Sequence, residues 1–213
     1  MKETKIFLVR HGQSMGNATR VYLGHTNLGI TERGEMQAKL TAEALRDEKI
    51  DAIYSSDLKR AHDTAIPHSI IHNLPINDRV NLREINIGVW EGMKIDDMLR
   101  DYHEEFTVGW QENFATFTPP GGECVRAAGE RFFRELESIA KDHPGQTVLV
   151  TTHAAVIRSF WGIINNLTNE QISKELPFPA NASYSIVTYK DGVFTPVKFS
   201  VNDHIPGEDI PLI

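Results

Sequence analysis

Lys5-Ile6-Phe7-Leu8-Val9-Arg10-His11-Gly12 sets four consecutive apolar residues directly before a guanidinium and an imidazole. An unbroken apolar run of that length predicts a strand buried on both faces, as in a parallel sheet. The pattern returns at Thr147-Val148-Leu149-Val150-Thr151, which leads through Thr152 into His153. Ligands of open α/β sheets collect beyond the carboxyl ends of the strands. Two buried strands that both deliver a histidine there are the main lead to fold and function.

Helical patterns separate the strands. Thr31-Glu32 marks a helix start, and Met36, Leu40, Ala44 and Leu45 recur at helical spacing. Residues 52–54 read as a strand, with Ser55 and Ser56 as caps for a helix from Asp57 towards His72 that contains Pro67. Residues 86–90 read as extended, with Gly88 and Gly92 bracketing a turn. Val125, Ala128, Phe132, Leu136 and Ile139 line one face of a strong helix that ends at His143-Pro144-Gly145, and another helix covers 155–164. Residues 184–189 and 193–199 form a hairpin around Asp191-Gly192. Alternating strands and helices predict a three-layer α/β/α sandwich with a mainly parallel central sheet.

The chain has 213 residues, 40% of them hydrophobic and 24% charged, which fits one globular domain over 1–213. Within it, 93–122 reads as a cap or substrate-selecting subregion. Its Phe106, Trp110, Phe114 and Phe117 form either an apolar wall over a pocket or a small packing core. With 22 Lys+Arg against 29 Asp+Glu, the net charge of −7 argues against nucleic acid as a partner. No apolar run is long enough to span a membrane, and the N-terminus lacks the apolar length of a signal peptide. The lone Cys124 excludes an internal disulfide and suits a reducing compartment, so the expected location is cytoplasmic.

At a strand end, a neutral imidazole is a nucleophile, and an adjacent guanidinium holds a tetrahedral anion. Arg60, Glu84 and His153 are further candidates, although each alone reads equally as an ordinary helix charge, ion pair or packed histidine. His68 and His72 have metal-compatible spacing but no third ligand, so they are expected in solvent, as are Asp96-Asp97 and Glu104-Glu105. No metal site is expected.

LVRHGQSMGN (8–17), YSSDLKRAHDTA (54–65), LREINIGVWEG (82–92) and VLVTTHAAVIR (148–158) together resemble the histidine phosphatase superfamily, also called the phosphoglycerate mutase-like family. The resemblance implies that His11 becomes phosphohistidine, that Arg10, Arg60 and His153 hold the phosphoryl group, and that Glu84 donates the proton. Asn17, Ser14 and Gln13 fall at polar pocket positions of the same motif. Ala154 replaces a frequent glycine, and Gly16 replaces a frequent tryptophan, which would widen the pocket mouth. His25 falls in a stretch that lines the approach to the site in relatives.

The reaction implied is hydrolysis of a small phosphorylated metabolite by a metal-independent phosphomonoesterase that needs no cofactor. Glu84 would be protonated in the first step and activate water in the second. The alternatives are a phosphoglycerate mutase, or a catalytically silent phospholigand-binding module, which would lack His11 or Glu84. The segment after Glu84 looks like the compact phosphatase branch. The expected assembly is a monomer or a homodimer, the latter paired through the edge of the hairpin.

Overall fold

The computed structural model describes residues 2–207. Six strands form one sheet: β1 (Thr4–Arg10), β2 (Ala52–Ser56), β3 (Ile76–Arg79), β4 (Thr147–Thr152), β5 (Tyr184–Lys190) and β6 (Val193–Val201). Their order is β3-β2-β4-β1-β5-β6, parallel from β3 to β1 and antiparallel through β5 and β6. The α/β fold with a mostly parallel sheet is as expected.

Alternate residues of β1 feed opposite layers, as the two-residue period of a strand requires. Ile6 and Leu8 join a core with α5 (Val125–Asp142) and α6 (Ala154–Ile164). Phe7 and Val9 join a smaller one with Ile53, Leu149 and Ala65 of α3 (Lys59–His72). The chain therefore leaves β1 towards one face, where α2 (Glu32–Ala44) packs on α3, and leaves β4 into α6 on the other. A crevice opens beyond these adjacent strand ends, with His11 on its wall and His153 packed beside His11.

α2 and α3 invert the usual patterning. The inner face of α2 is Gly34, Gln37, Ala38, Thr41 and Ala42, whereas Met36 is exposed. The inner face of α3 is Arg60, Ala61, Thr64, Ala65 and His68, while Ile66 and Ile70 face out. These helices pack on the polar loop after β1 as well as on the sheet. The Gly12 N–H donates to Thr64 Oγ1 at 3.0 Å, and Gln13 N–H donates to Gln37 Oε1 at 2.8 Å. A side chain on Gly12 would meet the Gly34 carbonyl oxygen at 2.5 Å, so glycine there serves the close crossing of α2.

Several local expectations are corrected. Ser55 and Ser56 belong to β2, and Leu58 precedes α3 without a side-chain cap. Pro67 sits inside α3 without ending it. Residues 86–90 are not extended; Gly88–Trp90 is a 3₁₀ turn in which Gly88 has φ +58°. β3, α1 (Met15–Thr19), α4 (Ile95–Asp101) and α7 (Asn169–Lys174) were not anticipated. Phe106 and Phe114 of segment 93–122 are buried, and Trp90 contacts Phe106, Trp110 and Phe117, which joins the segment to the core shared by Ile6 and Leu8.

His68 is fully buried instead of exposed, and neither ring nitrogen has a hydrogen-bond partner among the described residues. Burial pushes its pKa down to about 3. The unfolded chain takes up a proton near pH 6.5 while the folded one does not, so stability is lost as the pH falls from there towards 3. Between pH 7.5 and 5 this single group removes about 2 kcal/mol. In urea titrations at the two pH values, His68→Leu is expected to reduce the acid-induced loss of stability by about that amount. An unchanged loss would contradict the assignment.

Candidate active site

Arg10, His11, Asn17, Arg60 and Glu84, drawn from three separate stretches of sequence, line one cavity of about 570 Å³. His11 follows β1 and is 5% exposed. Its Nδ1 lies 2.7 Å from the Gly12 carbonyl oxygen, an acceptor, so the ring proton resides on Nδ1 and the Nε2 lone pair is free for chemistry. Burial, with Arg60 and Arg10 beside it, holds His11 well below the usual imidazole range and keeps it neutral.

His153 immediately precedes α6 and is fully buried, its ring centroid 5.3 Å from that of His11. Its Nε2 is 2.8 Å from Ser56 Oγ at the end of β2. Burial, then the charge of Arg60, also lowers its pKa well below the ordinary value. It stands beside the nucleophile and does not line the cavity wall.

The two arginines are oriented by backbone carbonyls. Arg10 Nη1 donates to Pro179 O at 2.6 Å. Arg60 is 1% exposed and donates to the carbonyls of Thr26, Leu23 and Gly24. Burial lowers its pKa to about 10, which leaves it cationic at neutral pH. The acidic chain thus concentrates positive charge at one strand-end crevice.

Glu84 follows a 3₁₀ turn, Val80–Leu82, tied down by Thr152 Oγ1, which donates to Leu82 O at 2.7 Å. Arg131 of α5 donates to the carbonyls of Asn81, Arg83 and Glu84. The Glu84 carboxylate accepts from the N–H groups of Ala155 and Val156, in the first turn of α6, and from its neighbour Ile85. These bonds fix where the carboxyl points.

Other predicted residues fall elsewhere. Ser14 lines the cavity but also caps α1, in a reciprocal pair with Asn17. Asn17 Oδ1 receives the Ser14 N–H and hydroxyl and Asn181 Nδ2, which turns the Asn17 amide N–H₂ towards the cavity. Gln13 does not line the cavity; its Oε1 accepts from Thr31 Oγ1, the cap of α2. Gly16 is buried, and a Cβ there would meet Leu23 at 2.5 Å, so it makes room for packing and does not widen the mouth. His25 contacts the Glu84 carbonyl and not the cavity.

Sequence reasoning missed Asn181, Phe178 and Glu91. Asn181 Nδ2 donates to His11 O at 3.0 Å, and nothing in its local sequence signals that. Glu91 stands in the Gly-Val-Trp-Glu-Gly block (88–92). It accepts from Gly24 N, His25 N, Thr26 N and Thr26 Oγ1, organising the loop whose carbonyls hold Arg60. Burial opposes its ionisation, yet these bonds keep it below the usual carboxylate range. Glu91→Gln is therefore expected to weaken inhibition by inorganic phosphate by roughly 10- to 100-fold, the worth of one charge-assisted bond. An unchanged phosphate inhibition constant would show that the loop holds Arg60 without it.

Among the described residues, no three His, Cys, Asp or Glu converge to hold a metal ion. Among the described residues, no helix is long and apolar enough to cross a membrane.

Residues 6–202 match the family model described as histidine phosphatase superfamily (branch 1). Phosphoserine phosphatase 1 of Hydrogenobacter thermophilus is 33% identical over 202 residues, 94% of each chain. A 2,3-bisphosphoglycerate-dependent phosphoglycerate mutase of Brucella anthropi is 32% identical over 80% of this chain and 85% of its own. The solved structure of Bacillus stearothermophilus YhfR superposes with a TM-score of 0.89 at 28% identity, over 95% of this chain and 99% of that one.

Proposed function

We propose that this site hydrolyses phosphate monoesters through a phosphohistidine on His11, because the chain belongs to the histidine phosphatase superfamily (branch 1) and its geometry suits that chemistry. It is a phosphoric monoester hydrolase of that family. The observation that carries the mechanism is the neutral His11, its Nδ1 turned to Gly12 O and its Nε2 left as nucleophile, beside two cations and a carboxyl.

Arg10 and Arg60 neutralise the phosphoryl oxygens, and the Asn17 amide donates a hydrogen bond to them, while His153 backs His11 from outside the cavity wall. His11 Nε2 attacks phosphorus in line, the ester P–O bond breaks, and the leaving oxygen takes a proton from Glu84. The Glu84 carboxylate then removes a proton from water, whose oxygen attacks phosphorus. The P–N bond breaks, and phosphate leaves with His11 neutral again. No step requires a metal ion.

Hydrolysis of simple alkyl phosphates is expected to proceed at an unchanged rate in excess chelator, read as phosphate release. Loss of activity that a divalent ion restores would overturn the mechanism. A mutase must also hold the second anionic group of its substrate, and among the described residues the cations lining this cavity are Arg10 and Arg60. Interconversion of 2- and 3-phosphoglycerate faster than their hydrolysis would favour the mutase instead.

A further inference from the structure

Among the described residues, the Lys, Arg, His, Asp and Glu side chains lining the cavity are Arg10, His11, Arg60 and Glu84, all assigned above to the phosphoryl group and its proton. The rest of the wall has two characters. One part is polar but neutral, with Asn17, Asn181 and Asn202. The other is aromatic. Tyr22 meets Trp110 edge-on, with centroids 5.4 Å apart, and Trp110 stacks on Phe178 at 6.3 Å and 17°. Ile85 and Ile87 add to this apolar part.

The aromatic wall is braced by a cation that does not face the main cavity. The Arg158 guanidinium of α6 lies 4.3 Å from the ring centroids of both Phe114 and Phe178. It donates to the carbonyls of Leu176, Ile172 and Ser173, and it lines a smaller adjoining cavity of about 230 Å³ that shares Trp110 and Phe178. Arg33 comes near Gly207 but is not a lining residue. The sequence at 208–213 contains no Lys or Arg.

Resting on the hydrolase reading, we propose that the alcohol leaving group is uncharged and presents an apolar or aromatic face. A leaving group with a carboxylate, as in phosphoserine or a phosphoglycerate, would lose hydration in this cavity without gaining a cation. An aromatic or branched apolar group gains by covering Tyr22, Trp110 and Phe178.

The test compares phenethyl phosphate, ethyl phosphate and phosphoserine, all esters of primary alcohols, so that leaving-group basicity does not dominate. Phenethyl phosphate is expected to exceed the other two in kcat/KM by about tenfold. Trp110→Ala and Phe178→Ala should each compress the ratio of phenethyl to ethyl phosphate towards one. Phe178, at 36% exposure, supplies the second variant because truncating Trp110 also empties packing against Trp90 and Phe114. Phosphoserine equal to or better than phenethyl phosphate overturns the proposal. If Arg158→Leu then removes that advantage, the carboxylate is being received at Arg158. A ratio unmoved in both variants also overturns it. Hydrolysis of ethyl phosphate without an aromatic preference leaves the hydrolase reading standing, whereas failure to hydrolyse any ester or form phosphoenzyme ends both.

Discussion

Replacing His11 with alanine should abolish ester hydrolysis, a loss on the order of 10⁴- to 10⁶-fold, and should eliminate the acid-labile, base-stable phosphoenzyme. The size follows from what no neighbour can replace: a neutral ring nitrogen whose partner nitrogen is tied to Gly12 O, set among two guanidinium groups. His153 is the natural rival, with its ring 5.3 Å away. Rapid acid quenching with a radiolabelled ester separates the two. His153→Ala should lose rate and still label, because His153 packs beside His11 without lining the cavity in which phosphorus is attacked. Labelling in His11→Ala together with none in His153→Ala would reverse the assignment. Circular dichroism must show both variants folded, since both positions are buried.

Glu84→Gln should cost about 10² to 10⁴ in turnover of alkyl phosphates, the range of general acid–base catalysis. The loss should depend on the leaving group. An ester such as 4-nitrophenyl phosphate leaves without protonation, so transfer to His11 survives while attack by water does not. The expected signature is a burst of nitrophenol equal to the enzyme present, followed by a slow steady state. An equal loss on every ester with no burst would show that Glu84 only supports the fold. That alternative has weight, because the carboxylate accepts three backbone N–H bonds, from Ile85, Ala155 and Val156. Glu84→Asp keeps the acid but withdraws it from those donors. It should therefore lose rate on alkyl esters without accumulating phosphoenzyme.

Where the chain met the sheet's interior, the one-dimensional signal was strong. The middles of β1 and β4, residues 6–9 and 148–150, are buried on both faces and apolar without a break, and α5 shows one continuous apolar stripe. The Asp191-Gly192 turn is equally local, with both residues at positive φ. Patterning misled at α2 and α3, whose inner faces carry Gln37, Thr41, Arg60, Thr64 and His68. Hydrophobicity counts such residues as outward-facing. Gln37, Thr64 and Arg60 are inside because the segment between β1 and α2 presents backbone groups that need hydrogen-bond partners, and Thr41 because it donates to Ala182 O. β3, Ile-Asn-Asp-Arg, has no apolar alternation and is a strand only because β2 offers it a parallel edge.

The sequence alone determined the strands that carry His11 and His153, and the chemical types of the reacting groups. Those properties are local, written in runs of a few residues. The tertiary structure alone decided what each group touches. Gln13, beside the nucleophile in sequence, faces Thr31, while Asn181, 170 positions away, holds the His11 carbonyl. Glu91 reaches Arg60 only through the carbonyls of an intervening loop. Tyr22, Trp110 and Phe178 become one wall because three distant segments converge over the crevice. Contacts of that kind depend on chain crossings in space, and no periodicity along the chain encodes them.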